Sequence, residues 1–177
     1  MSEDLPFAHP YNLNRLGQAG DIVTINATDE ERIALARFSD LLHVDSFAGR
    51  VELKKTAANR FRLDFTLTAD IRQACVVTLV DVPSHIERRF SRDLHFSPAS
   101  RRAPELPSAE EVSLDGEDPP EEISTLHYDL TAPLIEEFLL AIDPYPRAAG
   151  VEFQPPGDGD KPPESPFAVL KGLKSGL

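Results

Sequence analysis

Strict alternation of apolar and polar residues marks the stretch Phe61-Arg-Leu-Asp-Phe-Thr-Leu-Thr-Ala-Asp-Ile71. Successive side chains of a β-strand point to opposite faces of the sheet, so this pattern predicts a strand with one dry and one solvated face. Thr56-Ala-Ala-Asn59 precedes it and fits the turn of an antiparallel hairpin whose first strand is residues 44–54. This part of the chain therefore favours an antiparallel sheet.

Further strands are predicted on both sides of this hairpin. Residues 21–26 alternate Ile and Val with polar residues, residues 75–80 form a continuous apolar run typical of a more buried strand, and residues 123–130 suggest a last strand. The tetrapeptide Asp81-Val-Pro-Ser84 is expected to break the chain after the apolar run. Residues 84–96 fit a strand or one face of a helix, and we favour a strand because it extends the meander.

Two helices are predicted from their N-terminal signals. The first helix is predicted at residues 28–42 and begins at Thr28. Thr28 and Glu31 form a capping box, in which each side chain accepts a hydrogen bond from a free backbone N–H. Thr131 is expected to cap the second, residues 131–142, which has a proline in its first turn. The predicted fold class is α+β, with an antiparallel sheet of about five or six strands and two main helices.

Charge and proline are distributed unevenly along the 177-residue chain, whose net charge is -12. Residues 1–97 carry 12 Lys/Arg, 14 Asp/Glu and 3 prolines, whereas residues 98–177 carry 6, 16 and 13. A highly charged, proline-rich segment buries too little apolar surface to fold alone. The sequence therefore predicts an irregular N-terminal segment at 1–20, a single α+β domain at 21–147 interrupted by an acidic loop at 98–122, and a linker with a C-terminal tail at 148–177.

The composition indicates a cytoplasmic protein without a cofactor. No apolar run approaches the roughly 18 residues of a membrane span. The N-terminal residues have neither the basic nor the apolar region of a secretory signal. A single cysteine can form neither an internal disulfide nor a thiolate zinc site by itself.

No motif of known catalytic or cofactor chemistry is present in the sequence. It has no Gly-rich phosphate loop, no nucleophile elbow and no His pair at metal-binding spacing on a helix. The five histidines are scattered, and we expect surface or half-buried side chains rather than ligands. Cys75 is interpreted as a small buried apolar residue, while a catalytic thiol there would need exposure and a neighbouring base.

The basic residues of the predicted sheet are candidates for contact with RNA or a partner protein. They include Arg88, Arg89 and Arg92, with Lys54 and Lys55 from the preceding hairpin. In a strand, Arg88 and Arg92 would share a face with apolar residues, which suggests an open edge. They could contact RNA phosphates or an acidic partner, pair with the acidic arm at 105–122 of the same chain, or be simply solvated. No aromatic ladder for stacking single-stranded bases accompanies them.

The acidic residues suggest a different kind of contact. The loop at 98–122 could attract a basic protein by electrostatic steering, although solubility alone explains it equally well. A strongly negative protein also opposes non-specific binding to nucleic acid. The pair Glu136-Glu137 is expected on a solvated helix face.

The chain becomes apolar again near its C-terminus. Phe167 and Leu170 follow an acidic, proline-rich stretch and are expected to be buried. They could dock on the protein's own sheet or helix, or they could contact a partner.

Three separated segments resemble the bacterial YceD family, whose members are called large ribosomal RNA subunit accumulation proteins. These are Cys75-Val-Val-Thr-Leu-Val-Asp-Val82, Asp143-Pro-Tyr-Pro-Arg147 and Glu164-Ser-Pro-Phe-Ala-Val-Leu-Lys171. Their order matches the family, and the resemblance covers roughly residues 22–174. Many members carry a second cysteine in a Cys-x-x-Cys-like arrangement, whereas Thr78 stands three residues after Cys75 here. This departure argues against a required metal or redox centre.

The resemblance implies a non-enzymatic factor that supports 23S rRNA accumulation and large ribosomal subunit biogenesis. It implies partners among 23S rRNA, its precursor and a basic ribosomal protein, with no membrane and no catalytic residue. The acidic loop could then meet a basic protein or mask an RNA site until assembly. The alternatives are a protein-only adaptor that escorts a basic ribosomal protein and a thiol-dependent enzyme that uses Cys75.

Overall fold

The alternating stretch lies in the central strand of a five-stranded sheet. The structure is a computed structural model and describes residues 5–98 and 120–152. In chain order its elements are β1 (Pro10–Asn12), a 3-10 helix (Leu13–Arg15), β2 (Asp21–Asn26), α1 (Asp29–Phe38), β3 (His43–Ala57), β4 (Arg60–Ala74), β5 (Asp81–Phe96), β6 (Glu121–Ile123), β7 (His127–Asp129) and α2 (Thr131–Ala141). The predicted α+β class is confirmed.

The main sheet has the strand order β2-β3-β4-β5-β6. Its first four strands form an antiparallel meander, and the predicted hairpin between β3 and β4 turns at Ala58 and Asn59. The short β6 pairs parallel with the last three residues of β5. β1 and β7 form a separate antiparallel pair.

The two faces of β4 differ as the alternation predicts. Its inward-facing residues are at most 3% exposed and are Phe61, Leu63, Phe65, Leu67, Ala69 and Ile71. Burying each of the larger ones stabilises the fold by roughly 1.5–3 kcal/mol relative to exposure. This face is the floor of the hydrophobic core.

The helix α2 packs on this floor at Gly49 of β3. A β-carbon on Gly49 would meet the side chain of Leu134, so glycine permits the close approach of helix and sheet. Beside it, Phe138 meets Phe47 edge to face with 5.5 Å between ring centroids. Leu35 of α1 is fully buried in the same core. The helices thus cover one face of the sheet and leave the other face to solvent.

The helix α1 is shorter than predicted. Its capping box is present, because Thr28 N–H donates to Glu31 Oε2 at 2.8 Å and Glu31 N–H donates to Thr28 Oγ1 at 3.3 Å. The helix ends at Phe38, and Asp40 has a φ of 54°, which a right-handed helix does not accommodate. Leu42 N–H then bonds the end of β4, which directs the chain into β3 instead of extending the helix.

The apolar run at 75–80 is a loop between β4 and β5, so the predicted buried strand is wrong. The loop is closed by Cys75 N–H, which donates at 2.8 Å to the carbonyl of the loop's last residue. The predicted break at 81–84 is also wrong, because these residues begin β5. Within the described chain β5 has only β4 as a neighbour before Leu94, and Pro83 is tolerated on that edge because no N–H is required there.

The predicted last strand at 123–130 is split between two sheets, as β6 and β7. The segment 1–20, expected to be irregular, contributes β1 to the pair with β7. That pairing joins distant parts of the chain, which local patterns do not reveal. Thr131 does not cap α2, because Leu130 occupies the N-cap while the buried Thr131 hydroxyl donates to Asp129 at 2.7 Å.

Candidate partner-binding surfaces

The solvent-facing side of the sheet, which we call the polar sheet face, carries charges that are paired with one another. Five of its basic side chains lie within 4 Å of a carboxylate, in the pairs Arg50–Glu52 (3.5 Å), Lys54–Asp64 (3.4 Å), Arg62–Asp93 (3.1 Å), Arg72–Asp45 (2.7 Å) and Arg89–Glu87 (3.0 Å). Exposed ion pairs stabilise a fold by only about 0–1 kcal/mol. Their consequence here is electrostatic, since each carboxylate reduces the positive potential that a phosphate would meet.

Two predicted contact residues, Lys54 and Arg89, lie on the polar sheet face. Lys54 Nζ is also 3.8 Å from Glu52, and Arg89 Nη2 donates to Glu87. They belong to β3 and β5, which are two strand spacings, roughly 10 Å, apart. They share a face but do not form a basic cluster.

Arg88 and Arg92 lie on the inward row of β5, as the strand prediction implies, and both meet α2. Arg92 Nη2 donates to Glu136 Oε2 at 2.6 Å, and Arg88 Nε lies 3.9 Å from Glu137 Oε1. The sequence predicts a solvated glutamate pair and does not reveal these partners. The ion pairs form because α2 covers β5, and the local sequence does not indicate which helix lies over this strand.

Lys55 lies at the end of the β3–β4 hairpin, away from the arginines of β5. Its Nζ is 6.0 Å from the centroid of the Phe61 ring, a cation–π distance. Neither Lys55 nor its neighbour Arg60 has a carboxylate within 4 Å in the described ranges. We call the four basic residues of this region the basic hairpin end: Lys54, Lys55, Arg60 and Arg62.

The acidic segment leaves and rejoins the described structure beside this hairpin. Phe96 N–H donates to Asn59 O at 2.8 Å, and Pro120 lies in one depression with Arg60. Glu121 and Glu122, predicted to end the loop, belong to β6. Residues 99–119 of the predicted acidic loop lie outside the described residues, as do the predicted contact residues Phe167 and Leu170.

Cys75 is fully buried, as its apolar surroundings in the sequence predict, and its sulfur accepts a hydrogen bond from Ala148 N–H. Donation by the Thr78 hydroxyl and by Ala148 N–H, 3.4 Å away, lowers the pKa of Cys75 to about 6, while burial acts in the opposite direction. A catalytic thiol would have to reach substrate, and this one does not reach the surface. Thr78 therefore lowers the pKa of Cys75 from the position that the second cysteine of a Cys-x-x-Cys arrangement would occupy.

The remainder of this loop exposes apolar side chains. Val76, Leu79 and Val80 are 47%, 78% and 49% exposed. Leu79 has a φ of 60°, a left-handed conformation that costs an L-residue roughly 1–2 kcal/mol. Single exposed apolar residues are ordinary, whereas several in one loop make the loop a candidate contact surface.

The described ranges contain no group of three or more His, Cys, Asp or Glu side chains placed to hold a metal ion. In the same ranges no helix is long and apolar enough to cross a membrane.

Comparison with protein-family models matches residues 63–174 to the family described as large ribosomal RNA subunit accumulation protein YceD. The chain belongs to the YceD family. No curated protein and no solved structure matches it. The YceD name describes accumulation of large-subunit ribosomal RNA and names no reaction.

The YceD match spans most of β4, all of β5 and α2, and the three segments that carried the resemblance. It begins at Leu63 rather than near Ile22, so α1 and the basic hairpin end precede it. Arg88, Arg89, Arg92 and the apolar loop fall within the region shared with YceD proteins.

Proposed function

We propose that this YceD protein supports accumulation of 23S rRNA by binding a basic ribosomal protein of the large subunit, without catalysing a reaction. The observation that carries the proposal is the pairing of the polar sheet face, where five basic side chains already have carboxylate partners. Affinity for RNA comes largely from free Lys and Arg that displace counterions from phosphates. A paired face supplies little of that free energy.

The charge of the whole chain supports the same partner. Its 30 acidic residues outnumber 18 basic ones, and residues 105–118 contain six acids and no base. Complementary charge accelerates encounter with a basic protein and disfavours encounter with another polyanion. Ribosomal protein bound in this way would be delivered to nascent rRNA or kept soluble until it binds, and rRNA accumulation would follow from assembly.

A second candidate function is direct contact with rRNA through the basic hairpin end. Lys55 and Arg60 favour it, since neither has a carboxylate partner within the part of the chain that the structure describes. The hairpin end lies before the YceD-matched region, which favours the protein partner as the function shared with the family.

Two charge variants separate these functions with purified components. The acidic variant replaces Glu105, Glu110, Glu111, Asp115, Glu117 and Asp118 by their amides, and the basic variant is Lys55→Gln with Arg60→Gln. The probes are individual purified basic proteins of the large subunit and defined 23S rRNA fragments, titrated between about 50 and 200 mM salt, where phosphate contacts weaken steeply.

We expect the acidic variant to bind a ribosomal protein at least about tenfold more weakly than wild type, a loss of about 1.4 kcal/mol. The basic variant should retain that affinity. If the basic variant instead loses affinity for rRNA while the acidic variant binds ribosomal proteins normally, the protein is an RNA-binding factor and the proposal is wrong.

A further inference from the structure

One end of the domain presents an apolar surface built from two parts of the chain. The loop contributes Val76, Leu79 and Val80, and the region at the end of α2 contributes Leu140 and Tyr145, which are 77% and 71% exposed. Hydrogen bonds hold the two parts together. Val76 N–H donates to the carbonyl of residue 146 at 2.9 Å, and the side chain of residue 73 donates to the carbonyl of residue 143 at 2.8 Å. We call these five apolar residues the apolar end.

The C-terminal tail begins beside this surface. The described chain stops at Glu152, four residues after Ala148, whose N–H donates to the Cys75 sulfur beneath the loop. Phe167 follows fifteen residues further along the sequence, and a chain of that length reaches at most roughly 50 Å when fully extended. A segment tethered at such a distance reaches an effective concentration on the order of millimolar, so a weak contact is sufficient for occupancy.

The tail has the composition that this surface would bind. Phe167, Leu170 and Leu173 recur every third residue, with Lys171 and Lys174 between and after them. The last turn of α2 has no basic residue, although cations stabilise the negative C-terminal end of a helix. The tail therefore supplies both apolar side chains and positive charge where the domain lacks a partner for them.

A buried polar atom at the same place also lacks a partner. Gln73 is only 8% exposed, and its Oε1 accepts no hydrogen bond within the described ranges, while its Nε2 donates to Asp143 O. Buried acceptors are normally satisfied. A segment lying over the end of α2 would bring N–H donors to this position.

We propose that residues 167–173 of the same chain dock on the apolar end, with Phe167 and Leu170 against the loop at 76–80. The contact is structural and does not depend on the identity of the ribosomal partner. It gives the exposed, strained conformation of Leu79 a role as part of a docking site.

Tryptophan fluorescence of the full chain tests this, because the protein contains no tryptophan. Phe167→Trp places a reporter in the tail. We expect blue-shifted emission and low accessibility to acrylamide, and a shift to solvent-exposed values when Leu79→Asp and Val80→Asp are added. The matched control is Ile33→Asp on α1, at a residue that is 54% exposed, and it should leave the emission unchanged.

A second variant distinguishes loss of docking from unfolding of the domain. Leu79→Gly relieves the positive φ while removing the apolar side chain, so it should retain or raise the melting temperature and still shift the emission to the red. Solvent-exposed emission from Phe167→Trp alone would overturn the proposal. A blue shift that disappears on dilution would also overturn it, since the occupant would then be a second copy, and so would a blue shift insensitive to both loop variants.

Discussion

Replacing Gly49 by alanine tests how closely α2 approaches the sheet. The new β-carbon would lie 3.3 Å from Leu134 Cδ2 and 3.4 Å from its Cγ, and closer still to Cδ1. Leu134 is fully buried, so its side chain has no solvent-filled space into which it can turn. Overpacking of this kind costs about 1–3 kcal/mol. Alanine recovers about 0.4–1 kcal/mol by restricting the unfolded chain, so the net loss of unfolding free energy should be roughly 0–2.6 kcal/mol.

Urea denaturation measures this loss as a lower midpoint at unchanged slope. Gly17→Ala is the matched control, since no atom lies within 4 Å of its β-carbon and its φ is not positive, and it should be neutral or slightly stabilising. Leu134 is fully buried, so Leu134→Ala alone should cost about 2–5 kcal/mol. Adding Gly49→Ala to that variant should cost little more, because the new methyl group enters the vacated space. If Gly49→Ala is as stable as Gly17→Ala, the helix does not contact the sheet as described.

Three further predictions concern single contacts. Thr78→Val should raise the pKa of Cys75 above about 6, and the thiolate absorbance measured against pH gives this pKa. Because folding lowers the pKa, the stability that the thiolate contributes is present at alkaline pH and is lost as the pH falls through about 6. An unchanged titration midpoint in the variant would contradict the role of the hydroxyl. Arg92→Gln and Glu136→Gln should show a coupling of about 0.2–1 kcal/mol in a double-mutant cycle of urea stability, and strict additivity would mean that the pair is absent. Thr28→Ala should cost about 1 kcal/mol in the same assay through loss of the capping box, whereas no loss would mean that the box does not form.

Several elements were predictable because their signals are local. In β4 each apolar residue of the alternating stretch is buried, since the period of two directly determines which side chains share a face. The capping box at Thr28 formed for the same reason, as all its atoms belong to four consecutive residues. The burial of Cys75 was also expected correctly.

The errors came from features that depend on distant residues. The run at 75–80 is as apolar as a buried strand, yet the long β4–β5 hairpin needs a connection there, and Val76, Leu79 and Val80 are exposed. The helical prediction past Phe38 followed apolar residues that instead lead into β3. In both cases the residues are apolar, but they form neither the strand nor the helix that such apolar residues predict.

For the candidate contact residues, too, local sequence predicted the position on a strand but not the partner. The sequence placed Arg88 and Arg92 on an apolar row, but only the packing of α2 across β5 revealed Glu136 and Glu137 as their partners. An ion pair requires two side chains to meet, and the two helical glutamates come more than forty residues after the arginines.

The sequence by itself determined the α+β class, the two-faced central strand, the charge division of the chain and the resemblance to YceD proteins. These properties depend on residue counts and on the spacing of apolar residues along the chain, so they can be predicted without coordinates. Only the tertiary structure decided which charges are neutralised and that the YceD-like segment at 75–80 is a loop that buries Cys75 and exposes Val76, Leu79 and Val80. The physical reason is that pairing and exposure depend on distances between residues far apart in the chain, which are set when strands and helices pack.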